Sequence, residues 1–402
     1  MVDPLPQGWT QAQLGDLADW YSGGTPRTSE PSYWNGDIPW ITSGSLTQFY
    51  LRDSARRLTT LGLQRGSRLV PENSIIFVVR GMSLKTEFRI GITMRPVAFG
   101  QDCKALVPKS TVDPLFLAQA IRARTDVVLA MVDEAGHGTG RLATDRIKSL
   151  PIALPPLPEQ QAIASVFSTL DDKIELNQKL AVSADALWRS SVAAVVQPIE
   201  ESGNLDKEAE IRPLSALADF INGRAFTKGA TGTGPMVVRI AELNSGPGAS
   251  TVYNDIDVSV EYLAEPGSLL FAWSGSLTVR RWFRPEAIIN QHIFNVVPKP
   301  GIPMWLVHWH ILNLLPGYQR IAAGKATTMG HIQRRDLDIT VVTPVAGTLA
   351  KLDSICTPLW KRALQAEVET LGLVAIRDML LPKLLSGELR VRSPEQLVEA
   401  TV

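Results

Sequence analysis

Two arginine-rich stretches are the first candidates for chemistry in this chain of 402 residues. VVRGMSLKTEFR places Arg80, Lys85 and Arg89 after the apolar run SIIFVVR, and TVRRWFR places Arg280, Arg281 and Arg284 after the run SLLFAWS. Cationic groups at strand ends suit phosphate contacts, and the planar arginine fork suits a guanine edge. Arginines on an exposed hairpin serve equally as solvated surface. Further basic groups stand at GTGRLATDR, with Arg141 and Arg146, and at GHIQRR, with His331, Arg334 and Arg335; both sets are placed to clamp phosphates. Arg224 closes LSALADFINGR and is a further DNA-binding candidate. Arg27, with Tyr33 and Trp34, makes a basic aromatic loop suited to approaching DNA, although Trp34 serves as well as a packing anchor.

Catalytic patterns are missing from the sequence. LPPL at 154–157 has neither end of the Asn/Asp-Pro-Pro-aromatic motif of a DNA aminomethyltransferase, and GKATT at 324–328 lacks the leading glycine of a phosphate-binding loop. HExxH and GxSxG do not occur. Asp102, Cys103 and Lys104 have the Asp-x-Lys form of many nucleases, but the alignment below sets them against His292, Ile293 and Phe294, so they read as strand. GHGTG at 136–140 reads as a loop. Cys103 and Cys356 are far apart and in no CxxC pairing, which excludes a disulfide framework and a cysteine zinc site and leaves them as reduced, buried fillers.

The elements that must carry these residues are written twice. PVAFGQDCKALVPK at 96–109 lies over EAIINQHIFNVVPK at 286–299, an offset of 190 that continues through Gly140 on Gly330. ENSIIFVVRGMS lies over PGSLLFAWSGSL at an offset of 194, and LGDLADWYSGG over LSALADFINGR at 200; the changes of offset are loop insertions between matched cores. Gln101 falls on Gln291, and a position kept in both copies suggests a structural hydrogen bond. Each copy of about 150 residues mixes buried apolar strands with a helical segment near 114–131 or 304–321, which predicts a mixed α/β domain.

A long amphipathic segment follows each copy. Pro158 suits a first helical turn, and Ile163, Phe167, Leu170, Ile174, Asn177, Ala181, Ala184 and Trp188 recur at alternating steps of four and three. With nothing to break it before Pro198, this helix is expected to reach roughly 58 Å at about 1.5 Å per residue. A second, less regular seam runs through Leu352, Cys356, Leu359, Ala363, Ala366, Thr370 and Leu373 and closes at Gly387. The small residues on both seams favour close, antiparallel packing. The pattern alone also fits an ordinary helical hairpin; placement after each copy of a repeated domain makes it a ruler.

Composition bounds the rest. Lys and Arg equal Asp and Glu at 40 each, so the chain is not a simple polyanion binder, but 1–156 and 211–346 each carry a net charge of +3 while the connector at 157–210 carries −6. The N-terminus lacks a signal-peptide pattern and no apolar run is long enough to span a bilayer, which predicts a cytoplasmic protein.

The pairing of LPPLPEQQAIASVFSTLDDKI at 154–174 with a distal segment ending IRDMLLPKLLSGELRV at 376–391 resembles the specificity subunit of Type I restriction-modification systems, and GGTPRTSEPSYWNGDIPWI and GTGRLATDRIKSLPIALPP are similarly family-like. The resemblance covers the whole chain, although TPVAGTLAKLDSI at 343–355 stands where the first copy has the Pro-Pro and Glu-Gln start. It implies an α+β fold with two mixed α/β target recognition domains in tandem repeat, separated and joined by two long antiparallel helices forming a coiled coil. The boundaries expected are a first recognition domain at 1–156, the central helix at 157–197, a linker at 198–210, a second recognition domain at 211–346, the distal helix at 347–391 and a tail at 392–402. The implied role is non-catalytic: each domain reads half of a bipartite double-stranded DNA target, and the helices set the gap and dock two methyltransferase subunits, with motor-nuclease subunits as an optional addition. S-adenosylmethionine is expected on the partner subunits and no cofactor on this chain. Glu159, Gln160, Asp171, Asp172 and Glu175 form the expected partner-binding face. The rival reading is a coiled-coil scaffold whose globular units bind protein.

Overall fold

A computed structural model describes residues 5–135, 139–202, 209–323 and 330–391. The chain divides into one unit of residues 1–171 with 375–402 and another of residues 172–374. GKATT at 324–328, most of GHGTG and the tail at 392–402 lie outside the described residues, but Thr139 and Gly140 of GHGTG belong to a strand, Thr139–Leu142, and not to a loop.

In the first unit the run read as a buried strand is one: Ile75, Ile76, Phe77 and Val78 are all fully buried. A residue run apolar on both faces needs cover on both, and its sheet is accordingly interior. The sheet has the order Ala18–Ser22, Cys103–Pro108, Ile75–Val78, Ile90–Thr93, Tyr50–Leu51, antiparallel except for the last pair. A second sheet pairs Val97–Phe99 parallel to Trp34–Ile41 and antiparallel to Leu69–Val70. Thr10–Gln13 closes on Pro151–Leu154, so the two ends of the repeat meet. The helix Pro114–Arg122 starts with proline at its first position, capped by the Asp113 carboxylate, which accepts from the Phe116 N–H at 2.9 Å.

The second unit repeats this plan by itself. Ala218–Asn222, Ile293–Pro298, Leu269–Ala272 and Thr278–Arg281 form its antiparallel sheet, Met236–Val238 runs parallel to Ala287–Ile289, and Ala209–Pro213 closes on Thr340–Pro344. The strands Ala218–Asn222, Leu269–Ala272 and Ile293–Pro298 are the partners expected from the offsets of 200, 194 and 190. Cys103 and Lys104 open a strand whose counterpart begins at Ile293, as expected, whereas Asp102 stands in the turn before it; both cysteines are buried.

The central helix spans Leu157–Ser202 and the distal helix Ala346–Ser386, ended by Gly387 at φ +75°. Most seam residues are buried, with Leu170, Leu359, Thr370 and Leu373 half-buried: Ile163 and Phe167 enter the first core together with Leu380 and Leu384, and in the second unit Ala181, Ala184, Ala363 and Ala366 pack against one another. Trp188, Val192 and Val196 meet Leu352, Cys356 and Trp360, with Trp305 and Trp309 against them. Within each unit the contacts run antiparallel, since Glu159 meets Arg390 and Asp171 meets Arg377, while Lys173 meets Glu369 and Trp188 meets Cys356. The central helix does not stop before Pro198, as the sequence suggested, but passes through it. A proline in the last turn removes one i to i−4 hydrogen bond, and the buried Val196 and Ile199 on either side hold the helix together across it.

Candidate nucleic-acid interface

The cations predicted in the first unit gather around one small sheet. Val132–Ala135, Thr139–Leu142 and Arg80–Gly81 pair antiparallel, with Gly140 opposite Gly81 and Arg141 opposite Arg80. Gly140 is required by packing, because a Cβ there would stand 2.9 Å from the Leu84 Cβ. The result is two exposed guanidinium residues on directly opposed strand positions, and among the described residues neither has an acidic partner. Like charges so placed repel each other and favour an anion between or above them. Lys85 is 3.3 Å from Glu134, and Arg146 binds Asp133 at 2.8 Å and the Met131 carbonyl at 3.1 Å, so both border this sheet already engaged. Arg89 is tied down by Glu87 at 2.8 Å and the Ser43 carbonyl at 3.0 Å.

The Arg27 loop is a packed feature. Trp34 donates from its indole to the Arg27 carbonyl at 3.1 Å, meets Trp40 edge-on at 5.1 Å and carries the Arg56 guanidinium 4.1 Å above its ring. Trp34 is therefore the packing anchor, and Arg56, which no motif singled out, shares its surface with the exposed Arg27.

In the second unit the three arginines of TVRRWFR part company. Arg280 is exposed. Arg281 is buried and is corrected here from DNA contact to structural cation: its side chain is 3% exposed, bonded to Glu367 at 2.9 Å and to Asp185 at 3.2 Å, and lies 4.8 Å over the Trp360 ring. Strand alternation is the reason, since side chains at 280 and 281 must face opposite sides. Burial raises the Glu367 pKa, opposed by its bond to Arg281. Arg284 is half-buried over Phe283 at 5.0 Å and against Gly246, and burial lowers its pKa. A cavity of about 480 Å³ beside these residues is lined in part by Arg189, Arg280, Arg284 and His308, the last held well below its usual pKa by burial and by the neighbouring arginines. Arg224 is exposed with its guanidinium 4.7 Å over Tyr262. His331 bridges to Ser274 and faces Trp273 at 6.4 Å, while Arg334 and Arg335 are exposed on the short helix Arg334–Asp338.

The expected partner-binding face is largely corrected. Glu159 is buried, held by Arg390 at 2.6 Å and by the Trp9 indole at 3.1 Å. Gln160 is buried as the fastener of the helix start: its amide donates to the Pro155 carbonyl at 2.9 Å and accepts from the Asp113 N–H at 2.9 Å. Asp171 is buried against Arg377 at 2.9 Å and Tyr50 at 3.0 Å. Burial lowers the Arg377 pKa, but its bonds to Asp171 and Asp378 outweigh that and raise it. These three face inward because polar residues spaced along a helix take whichever face their partners demand, and Arg390, Trp9, Asp113, Arg377 and Tyr50 come from distant parts of the chain. Asp172 stays exposed, and Glu175 pairs with Lys179 one turn away. Among the described residues no group of three or more His, Cys, Asp or Glu could hold a metal, and no helix is long and apolar enough to cross a membrane.

Residues 6–183 match the family described as Type I restriction modification DNA specificity domain. The specificity subunit of the Type I restriction enzyme MjaIX of Methanocaldococcus jannaschii is 25% identical over 426 residues, covering 97% of this chain and 95% of that protein. The EcoR124I/EcoR124II specificity subunit of Escherichia coli is 29% identical over 179 residues, which is 41% of this chain and 44% of that one. A crystal structure of the S subunit of a Type I restriction-modification system from M. genitalium shares the fold with a TM-score of 0.62 at 17% identity, over 95% of this chain and 97% of that one. Residues 6–183 thus match that DNA specificity domain, the chain is similar along nearly its whole length to a specificity subunit of a Type I restriction enzyme, and its repeated α+β units and paired long helices share the fold of a solved S subunit.

Proposed function

We propose that each repeated unit reads one half of a bipartite double-stranded DNA target, that the paired helices set the gap between the halves, and that the chain docks two methyltransferase subunits while catalysing nothing itself. S-adenosylmethionine binds those subunits, and motor-nuclease subunits complete the assembly where restriction is required. The observation that carries the reading is the opposed pair Arg80 and Arg141, two exposed like charges without an acidic partner among the described residues, at a corner that the second unit builds again from Ser274 and His331. A repeated fold that keeps a corner and changes its side chains is what two readers of different sequences require. Half-sites met on one face of DNA recur at roughly 34 Å, a distance that helices of 46 and 41 residues are long enough to set. The modest net charge of each unit implies that the partner subunits supply much of the phosphate attraction.

The test is selection from a random duplex library by the chain purified with its methyltransferase subunits. Two short conserved sequences at a constant separation are expected. A library that returns no bipartite sequence would make the chain a protein-binding scaffold instead.

A further inference from the structure

One turn is built identically in both units. In the first, the Cys103 N–H donates to the Gly100 carbonyl at 3.1 Å, which places Gln101 at the second position of a tight turn, and the Asp102 carbonyl accepts from the Val79 N–H at 2.8 Å. In the second, the Ile293 N–H donates to the Asn290 carbonyl at 3.1 Å and the His292 carbonyl accepts from the Trp273 N–H at 3.2 Å. A glycine backs each turn at contact distance. A Cβ on Gly23 would lie 2.2 Å from the Gly100 oxygen, and one on Gly223 would lie 2.3 Å from the Asn290 oxygen. The turn is thus clamped from behind by backbone that admits no side chain, and what it presents forward is an exposed glutamine each time. The structural hydrogen bond expected for these glutamines is not made. Among the described residues Gln101 has no side-chain hydrogen bond, and Gln291 meets only its neighbour His292, at 3.3 Å.

Next to this constant feature is a variable one. The Arg80 N–H also reaches the Asp102 carbonyl at 3.3 Å, so the Arg80 and Arg141 pair adjoins the Gln101 turn. The matching positions in the second unit, at the same offsets, are Ser274 and His331, again opposed antiparallel, with Ser274 buried and His331 half-buried. A side chain that is the same in two readers of different sequences cannot encode the difference between them, whereas a pair that changes at the same place can.

Resting on the reading of the units as DNA-binding, we infer that Gln101 and Gln291 are positioning residues that donate to a backbone phosphate of their half-sites, and that the exposed, opposed pair Arg80/Arg141 determines which bases the first half-site accepts, a place that only His331 can fill in the second unit because Ser274 is buried. A neutral amide on a rigid turn fixes register without sequence information, as phosphate contacts do. Paired guanidinium groups select guanine through O6 and N7, while the single half-buried imidazole of His331 imposes a different and weaker choice.

The experiment is the same duplex selection, carried out with the chain in complex with its methyltransferase subunits. Arg80→Ser combined with Arg141→His should remove a guanine preference from one half-site and leave the other half-site and the separation unchanged. Gln101→Ala and Gln291→Ala should each weaken binding to the unchanged wild-type sequence about tenfold, the worth of one hydrogen bond to a charged group. Gln101→Glu, equal in size but anionic, should weaken it further, and all variants should melt with the wild-type protein because the side chains are exposed. Altered base preference in a glutamine variant, affinity within roughly twofold of wild type, or intact half-sites in the arginine double variant would each overturn the inference while the wild-type complex still selects its bipartite sequence. If the wild-type complex itself selects nothing, the DNA-reading assignment falls and takes this inference with it.

Discussion

Arg281→Ala tests the energetic logic of the second unit most directly. The guanidinium is 3% exposed and holds two carboxylates, Asp185 at 21% and Glu367 at 26% side-chain exposure, each on one of the two long helices. Its removal leaves two partly buried like charges facing each other across the seam and strips a cation from the Trp360 ring. Breaking such a pair by deleting one partner costs about 3–5 kcal/mol, and for a unit of this size each kcal/mol lowers Tm by about 2–4 °C. The full chain should therefore melt about 6–20 °C lower at pH 8. The loss should shrink toward acid. Burial already raises the Glu367 pKa, and without Arg281 it rises further; a carboxyl whose folded pKa lies above its unfolded value contributes stability below the unfolded value and loses it as pH climbs through the folded one. Adding Glu367→Gln to the Arg281→Ala protein should recover about 1–2 kcal/mol at pH 8, since it removes the remaining repulsion. Thermal and urea melts of the two variants, with Arg280→Ala as an exposed control, give the comparison. If Arg281→Ala melts with the Arg280→Ala control, or is equally destabilised at pH 5 and pH 8, the buried ion cluster does not hold the helices in the way described.

Inserting one helical turn near Asn177, matched by a turn near Glu369 on the paired helix, should widen the selected DNA sequence by about one to two base pairs, given roughly 5.4 Å per turn and 3.4 Å per base pair, with both half-sites unchanged. An unchanged separation would remove the ruler. Asp171→Ala should destabilise the first unit by about 3 kcal/mol, because it leaves Arg377 beside Arg122 with only the exposed Asp378 as a counter-charge and removes the carboxylate that accepts from the Tyr50 hydroxyl; denaturant melts would show it, and Asp171→Asn should fall between the two proteins. Gly23→Ala should cost about 1–3 kcal/mol or more through collision with two backbone oxygens, readable as a lower Tm together with faster amide exchange in the Gln101 turn.

Much of the architecture was legible along the chain because its signals are local and repeated. The seam residues Ile163, Phe167, Ile174, Ala181, Ala184 and Trp188 are buried as their spacing demands, and the strand registers of the two units follow the offsets of the internal alignment. The site was legible only in part. Arg80 and Arg141 were named separately, 61 positions apart, and nothing in either sequence context showed that they would stand opposite each other. Glu159, Gln160 and Asp171 looked like a surface for partners because a polar residue on a helix carries no mark of which face it takes; Arg390, Trp9, Asp113, Arg377 and Tyr50 decided it from afar.

Periodicity, proline and glycine punctuation and an internal repeat are properties of neighbouring residues, and they determined by themselves that this chain has two copies of an α+β unit and two long seamed helices. Which arginine points to solvent, which carboxylate is neutralised inside, and that a glutamine is offered outward twice on the same clamped turn depend on contacts between residues tens to hundreds of positions apart. Those contacts form only when the whole unit closes, so only the tertiary structure could separate Arg281, buried between carboxylates of the two helices, from Arg80 and Arg141, which stay exposed and opposed.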